Sequence, residues 1–141
     1  MSVVRYLVDT SALVRLLRSD EARAGWDELI TAGLVATCPV VELEFLRTAR
    51  SKADRDELSE LLRTAFSWVP MPDRVFDRAG EMMAGLTARG SHRSAGVVDL
   101  LVAATAELNR LVLVHYDRDF DRVGLVSGQV TRWVAEPGSL P

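Results

Sequence analysis

Cysteine is almost missing from this 141-residue chain, with Cys38 the single example. No internal disulfide can form, which fits a reducing cytoplasm. Cys38 follows Thr37, precedes Pro39 and lies among apolar neighbours, so it reads as a core residue and not a nucleophile. With one Cys and two His, no zinc-binding set of the usual His/Cys kind is in view. Lysine is equally scarce: among 17 Lys+Arg, only Lys52 is lysine. A formal net charge of -3 argues against a broadly basic nucleic-acid binder while leaving room for a local basic patch. No apolar run approaches the ~18–20 residues of a membrane helix. Nor does a basic stretch followed by a long apolar run open the chain, so no signal peptide is expected and a soluble cytoplasmic protein is. Aromatics make up 6% of the residues, so aliphatic side chains must fill the core. Repeats, low-complexity tracts and linkers are also lacking, which predicts one domain over 1–141.

What is present is an alternation. Short Val-rich runs at Val3–Val8, Leu34–Thr37, Ser67–Val69, Leu111–Val114 and Val130–Val134 have strand length. Helical patterns fill the intervals: Ser11–Leu17, Asp20–Ala32 stopped by Gly33, Val40–Arg50, Ala53–Phe66 with Asp54 as a cap, Asp73–Arg89, Val97–Asn109 and Asp117–Val123. Val97–Asn109 is apolar on nearly every face and predicts a central buried helix. Strands alternating with helices require crossovers, hence a parallel sheet of about five strands in a three-layer α/β/α domain. Met82 and Met83 read as packing residues, and Trp26, Trp68 and Trp133 as core or partner contacts.

Acids interrupt this pattern where packing alone does not call for them. Asp9 ends the first strand, Glu42 and Glu44 lie in an otherwise apolar helix start, Asp99 opens the all-apolar helix, and Asp117 and Asp119 follow the LVLVHY strand. Each has an ordinary explanation as a helix cap, a favourable charge at a helix N-terminus or a solvated turn. Together they say more. In a parallel sheet, strand ends and the helix starts beside them open on one rim. Two carboxylates ~5 Å apart at an effective dielectric of ~20 repel by roughly 3 kcal/mol. A group of them therefore takes up protons or holds a cation. All-oxygen donors suit Mg²⁺ or Mn²⁺.

The stretches YLVDTSALVRLL, VVELEFLRTAR, VVDLLVAATA and LVLVHYDRDFDRV, in that order, resemble the PIN-domain family, and within it the VapC toxins of bacterial toxin–antitoxin pairs. The resemblance spans essentially the whole chain. It implies a metal-dependent endoribonuclease in which Asp9, Glu44, Asp99 and Asp117 are the catalytic acids. Mg²⁺ or Mn²⁺ would rest mainly on Asp9 and Asp99, with Asp117 and Glu44 assisting, and activate the water that hydrolyses an RNA phosphodiester. Thr10 or Ser11 would orient Asp9 or a substrate phosphate. Glu42 competes with Glu44, since only the motif favours Glu44, and Asp119 competes with Asp117. His115 stands where many relatives carry Thr, and is expected to replace that hydroxyl as a donor.

RNA approaching such acids needs cations nearby. Arg15, Arg47, Arg50, Lys52, His92 and Arg93 are candidates, with His92 and Arg93 in the polar loop GSHRSAG. The resemblance further implies a cognate VapB-type antitoxin and a homodimer. Two rivals remain at this level: a signalling receiver with an acidic pocket, and a PIN-like module that binds without catalysing. A receiver wants an acidic pair after the first strand and a Lys after the last, which this chain does not offer. The full acid set disfavours an inactive module.

Overall fold

A computed structural model describes residues 3–141. Five strands form one sheet: β1 (Tyr6–Val8), β2 (Val35–Thr37), β3 (Ser67–Trp68), β4 (Val112–His115) and β5 (Thr131–Trp133). Every pairing is parallel, and the order is β3-β2-β1-β4-β5. Helices flank the sheet, as the alternation predicts: α1 (Thr10–Arg18), α2 (Asp20–Ala24), α3 (Asp27–Thr31), α4 (Pro39–Leu46), α5 (Lys52–Ala65), α6 (Val75–Ala88), α7 (Val97–Leu108) and α8 (Asp119–Ser127). The strands are two to four residues long; four are shorter than the Val-rich runs, and β4 keeps its length but is shifted one residue on.

The predicted helix over Asp20–Ala32 is two five-residue helices. The chain bends at Gly25–Trp26, where the Trp26 ring turns into the core and its Nε1–H donates to the Val134 carbonyl at 2.9 Å. The helix expected to run to Arg50 closes at Leu46, and the next starts at Lys52 with Ser51 as its N-cap, whose Oγ accepts the Asp54 N–H while Asp54 accepts the Arg50 N–H. Asp54 therefore completes the cap from inside the first turn. The last predicted helix is displaced to Asp119–Ser127 and ends on Gly128, whose φ of 78° is costly for a residue with a side chain.

One apolar core joins the sheet to both helical layers, with Leu7, Val8, Leu13, Val35, Leu113, Val114 and Phe120 fully buried. Helix α7 contributes Leu100, Val102, Ala103, Ala104 and Ala106 to it, as its lack of a polar face requires. Cys38 is wholly buried there, and burial pushes its thiol up to about 11, which makes it inert. Arg78 links three helices, pairing with Glu81 and Glu107 at 2.8 Å each and donating to the Ser127 carbonyl. The strand order reverses between β1 and β4, so a crevice opens at their carboxyl ends. Asp9 follows β1 and Asp117 follows β4 by two residues.

Candidate active site

Asp9 performs one of the two jobs that its position suggested. It is the N-cap of α1: Oδ2 accepts the Ser11 N–H at 3.0 Å and the Ser11 Oγ–H at 2.8 Å. Its other oxygen, Oδ1, is buried and has no hydrogen-bond partner, in a residue only 2% exposed. A buried, unpartnered carboxylate oxygen is costly unless something positive meets it. Burial raises the Asp9 pKa above the ordinary carboxylate value, the Ser11 and Thr10 hydrogen bonds oppose that shift, and the charge of Glu44 adds to it.

Asp99 stands at the third position of α7, where Oδ2 accepts the Gly96 N–H at 3.0 Å. Desolvation pushes its carboxyl up to about 6, followed by the charge of Asp9 and, below the opposing Gly96 bond, those of Asp117 and Glu44. One carboxyl thus feels all three of the other acids. The structure brings Asp9, Glu44, Asp99 and Asp117 to the same rim. Helix α4, which carries Glu44, packs against both α1 and α7. The four do not close into a ready-made cage: among the described residues no three His, Cys, Asp or Glu side chains are grouped tightly enough to hold a metal ion. Mutual repulsion of the carboxylates acts in that direction.

The two open choices now differ in their surroundings. Glu42 turns to the sheet, where its Oε1 accepts the Thr37 Oγ–H at 3.0 Å; the charge of Glu44 reaches Asp9 and Asp99. Asp119 begins α8 beside Arg122 and donates its N–H to Asp117 Oδ1 at 3.0 Å, while the charge of Asp117 reaches Asp99. Of the two hydroxyls, that of Ser11 orients Asp9. Thr10 Oγ1 is buried without a partner.

His115 differs from expectation. It is fully buried between Phe120 and Trp133, and its Nδ1 accepts the Asp117 N–H at 3.2 Å. The imidazole is an acceptor and not a donor toward the fourth acid, and desolvation lowers its pKa, keeping it neutral. Tyr116 was not singled out by any motif. Its N–H donates to Ser11 Oγ at 2.9 Å, and its hydroxyl receives the Leu140 N–H at 2.8 Å. Only its place beside Asp117 hinted at this.

The candidate cations fall in different places. Arg15 leans over the Tyr116 ring, its guanidinium carbon 4.9 Å from the centroid. Arg47 lines an apolar groove with Val40, Leu43, Glu44 and Val98. Lys52 is paired with Asp56, and Arg50 is exposed. His92 and Arg93 are exposed in the loop before α7, where Ser94 donates twice to the Ser91 carbonyl.

A family model, described as the PIN domain, matches residues 6–125. This chain belongs to the PIN-domain family. The PIN chain is 39% identical over 135 residues to Ribonuclease VapC21 of Mycobacterium tuberculosis, covering 96% of this chain and 97% of that one. It is 36% identical over 137 residues to Ribonuclease VapC18 of the same species, covering 96% and 98%. Among solved structures, the DNA-bound VapBC of Salmonella typhimurium superposes with a TM-score of 0.76 at 16% identity, covering 94% of this PIN chain and 100% of that one. VapBC-5 of Mycobacterium tuberculosis gives a TM-score of 0.59 at 22% identity, covering 93% and 98%. At those identities the superpositions speak for the PIN fold alone.

Proposed function

We propose that this chain is the endoribonuclease toxin of a VapBC-type pair, hydrolysing RNA phosphodiester bonds at the Asp9–Glu44–Asp99–Asp117 rim with the help of Mg²⁺ or Mn²⁺. The observation that carries this reading is the Asp9 carboxylate: rigidly capped on one oxygen, buried and unpartnered on the other, at the end of the central strand. The ribonuclease names of relatives at 36–39% identity support the activity. The donor set fits a hard divalent cation, because four carboxylates supply oxygen alone and their accumulated charge calls for a counterion. Asp9 and Asp99 would be the principal ligands, with Glu44 and Asp117 supporting. Bound there, the ion supplies Lewis acidity toward a phosphate oxygen and toward water.

The protein's own groups do the rest. Ser11 holds Asp9 in one rotamer, and the Gly96 N–H does the same for Asp99. His115 fixes the backbone at Asp117. These interactions preorganise the rim before substrate arrives. The VapC names of the relatives at 36–39% identity support a cognate VapB-type antitoxin, and the proposal includes a homodimer. No helix of the described residues is long and apolar enough to cross a membrane.

The test is cleavage of a structured RNA pool by antitoxin-free protein with Mg²⁺, Mn²⁺ or EDTA. Cleavage that needs the divalent ion and disappears in Asp9→Asn supports the proposal. Acid-labile phosphorylation of one Asp without cleavage would support the receiver, and binding of RNA with no turnover the inactive module.

A further inference from the structure

A concavity lies between α1 and residues 140–141, linked to Asp9 through Ser11 and Tyr116. Its volume is about 340 Å³, and Val14, Arg15, Arg18, Ser19, Leu140 and Pro141 line it. That lies within the ~300–1,000 Å³ usual for small-molecule sites. We propose that this cleft holds one nucleotide of the RNA strand flanking the scissile phosphate, with its phosphate on Arg15 and Arg18. The proposal rests on the ribonuclease reading and names where the substrate is held.

Charge is the first argument. Most arginines among the described residues have no acidic partner, but Arg15 and Arg18 are two that line one cleft together. Among the described residues neither Arg15 nor Arg18 pairs with a carboxylate. Arg15 is half-buried and already placed: Nη1 donates to the Ser11 carbonyl at 3.2 Å, and the guanidinium stacks on Tyr116. A held guanidinium presents its remaining N–H groups to a phosphate with little further ordering.

Shape is the second. Val14, Leu140 and Pro141 give the cleft apolar walls beside the two cations. An anion with an apolar body matches that surface, and a nucleotide is such a molecule. Connection is the third. Ser11 Oγ donates to Asp9 and accepts from Tyr116, whose ring lies under Arg15 and whose hydroxyl holds Leu140. Arg15 also follows Ser11 by one helical turn. One run of contacts therefore joins Asp9 to the cleft-lining Arg15 and Leu140. In a chain of net charge -3, an RNA strand needs such a local cation pair.

The experiment compares Asp9→Asn protein, which prevents turnover, with the same protein carrying Arg15→Ala and Arg18→Ala. The probe is a 5′-fluorescein single-stranded ten-nucleotide uridine RNA, followed by anisotropy over a range of salt. Removing one cation from a phosphate lowers the log–log salt slope by ~0.7 for single strands. The expected result is a slope reduced by roughly one to one and a half and a Kd raised by about tenfold at low salt. Arg63→Ala, on the exposed face of α5, leaves both unchanged. Should the double variant fail to fold, Arg18→Glu alone carries the test, because Arg18 is exposed. Unchanged slope and Kd overturn the proposal. So does retained RNA affinity with abolished binding of an acidic glutamate decapeptide, which assigns the cleft to a protein. If unsubstituted protein with Mg²⁺ neither binds nor cuts RNA, the ribonuclease reading itself fails.

Discussion

Replacing Asp99 by Asn is expected to make the metal-free protein more stable and the enzyme inactive. The folded carboxyl titrates at about 6, against an ordinary Asp value near 4. The folded chain therefore keeps a proton that the unfolded chain releases as pH rises through ~4. Below that pH the group costs nothing. Between ~4 and ~6 the cost grows, and above ~6 it is complete. Two pKa units correspond to about 3 kcal/mol. Asp99 is partly open to solvent, and screening reduces the penalty to about 1–2 kcal/mol. Asn abolishes the charge and keeps a side-chain oxygen for the Gly96 N–H. Urea unfolding in EDTA should thus show Asp99→Asn ahead by about 1–2 kcal/mol at pH 8, or a Tm higher by roughly 3–8 °C. The difference should vanish near pH 3.5. A variant less stable than the parent at pH 8, or a gain independent of pH, would refute the reasoning.

Four further outcomes follow from the same geometry. Mg²⁺ added to the unsubstituted chain should raise Tm, a stabilisation of about 2.7 kcal/mol at one hundred times Kd, and should do far less for Asp99→Asn. Glu44→Gln should lower kcat by at least ~100-fold, whereas Glu42→Gln should keep activity within a few-fold and cost about 1 kcal/mol in urea for its weakened bond with Thr37. Ser11→Ala should destabilise by about 1–3 kcal/mol, since Tyr116 N–H loses its acceptor and Asp9 a donor, and should weaken Mg²⁺ binding ~10–100-fold by calorimetry. His115→Phe fills the same space but cannot accept the Asp117 N–H; kcat should fall with little change in melting, and a drop in Tm alone would speak against a positioning role.

The architecture was open to inspection in the sequence because it rests on local alternation. Val-rich runs, Gly33 and the helix without a polar face at Val97 each announce themselves without reference to distant residues. The same holds for Asp9 and Asp99, which break apolar patterns in a way that only a site or a cap explains. What escaped were long-range partners. The bend at Trp26 depends on the Val134 carbonyl over a hundred residues away, and nothing near Trp26 encodes it. The choice between Glu42 and Glu44 turns on whether a side chain faces Thr37 or the rim, and one helical turn contains both. His115 and Tyr116 act through backbone N–H groups, which leave no trace in residue spacing.

The acids come from both halves of the chain, Asp9 and Glu44 early, Asp99 and Asp117 late, and they meet only when β4 pairs beside β1. A ribosome that has released the first hundred residues therefore displays no complete acid set. Under the proposed function, cutting capacity arrives only with β4 and the turn that carries Asp117, which would leave a neutralising protein time to be at hand before the toxin acts.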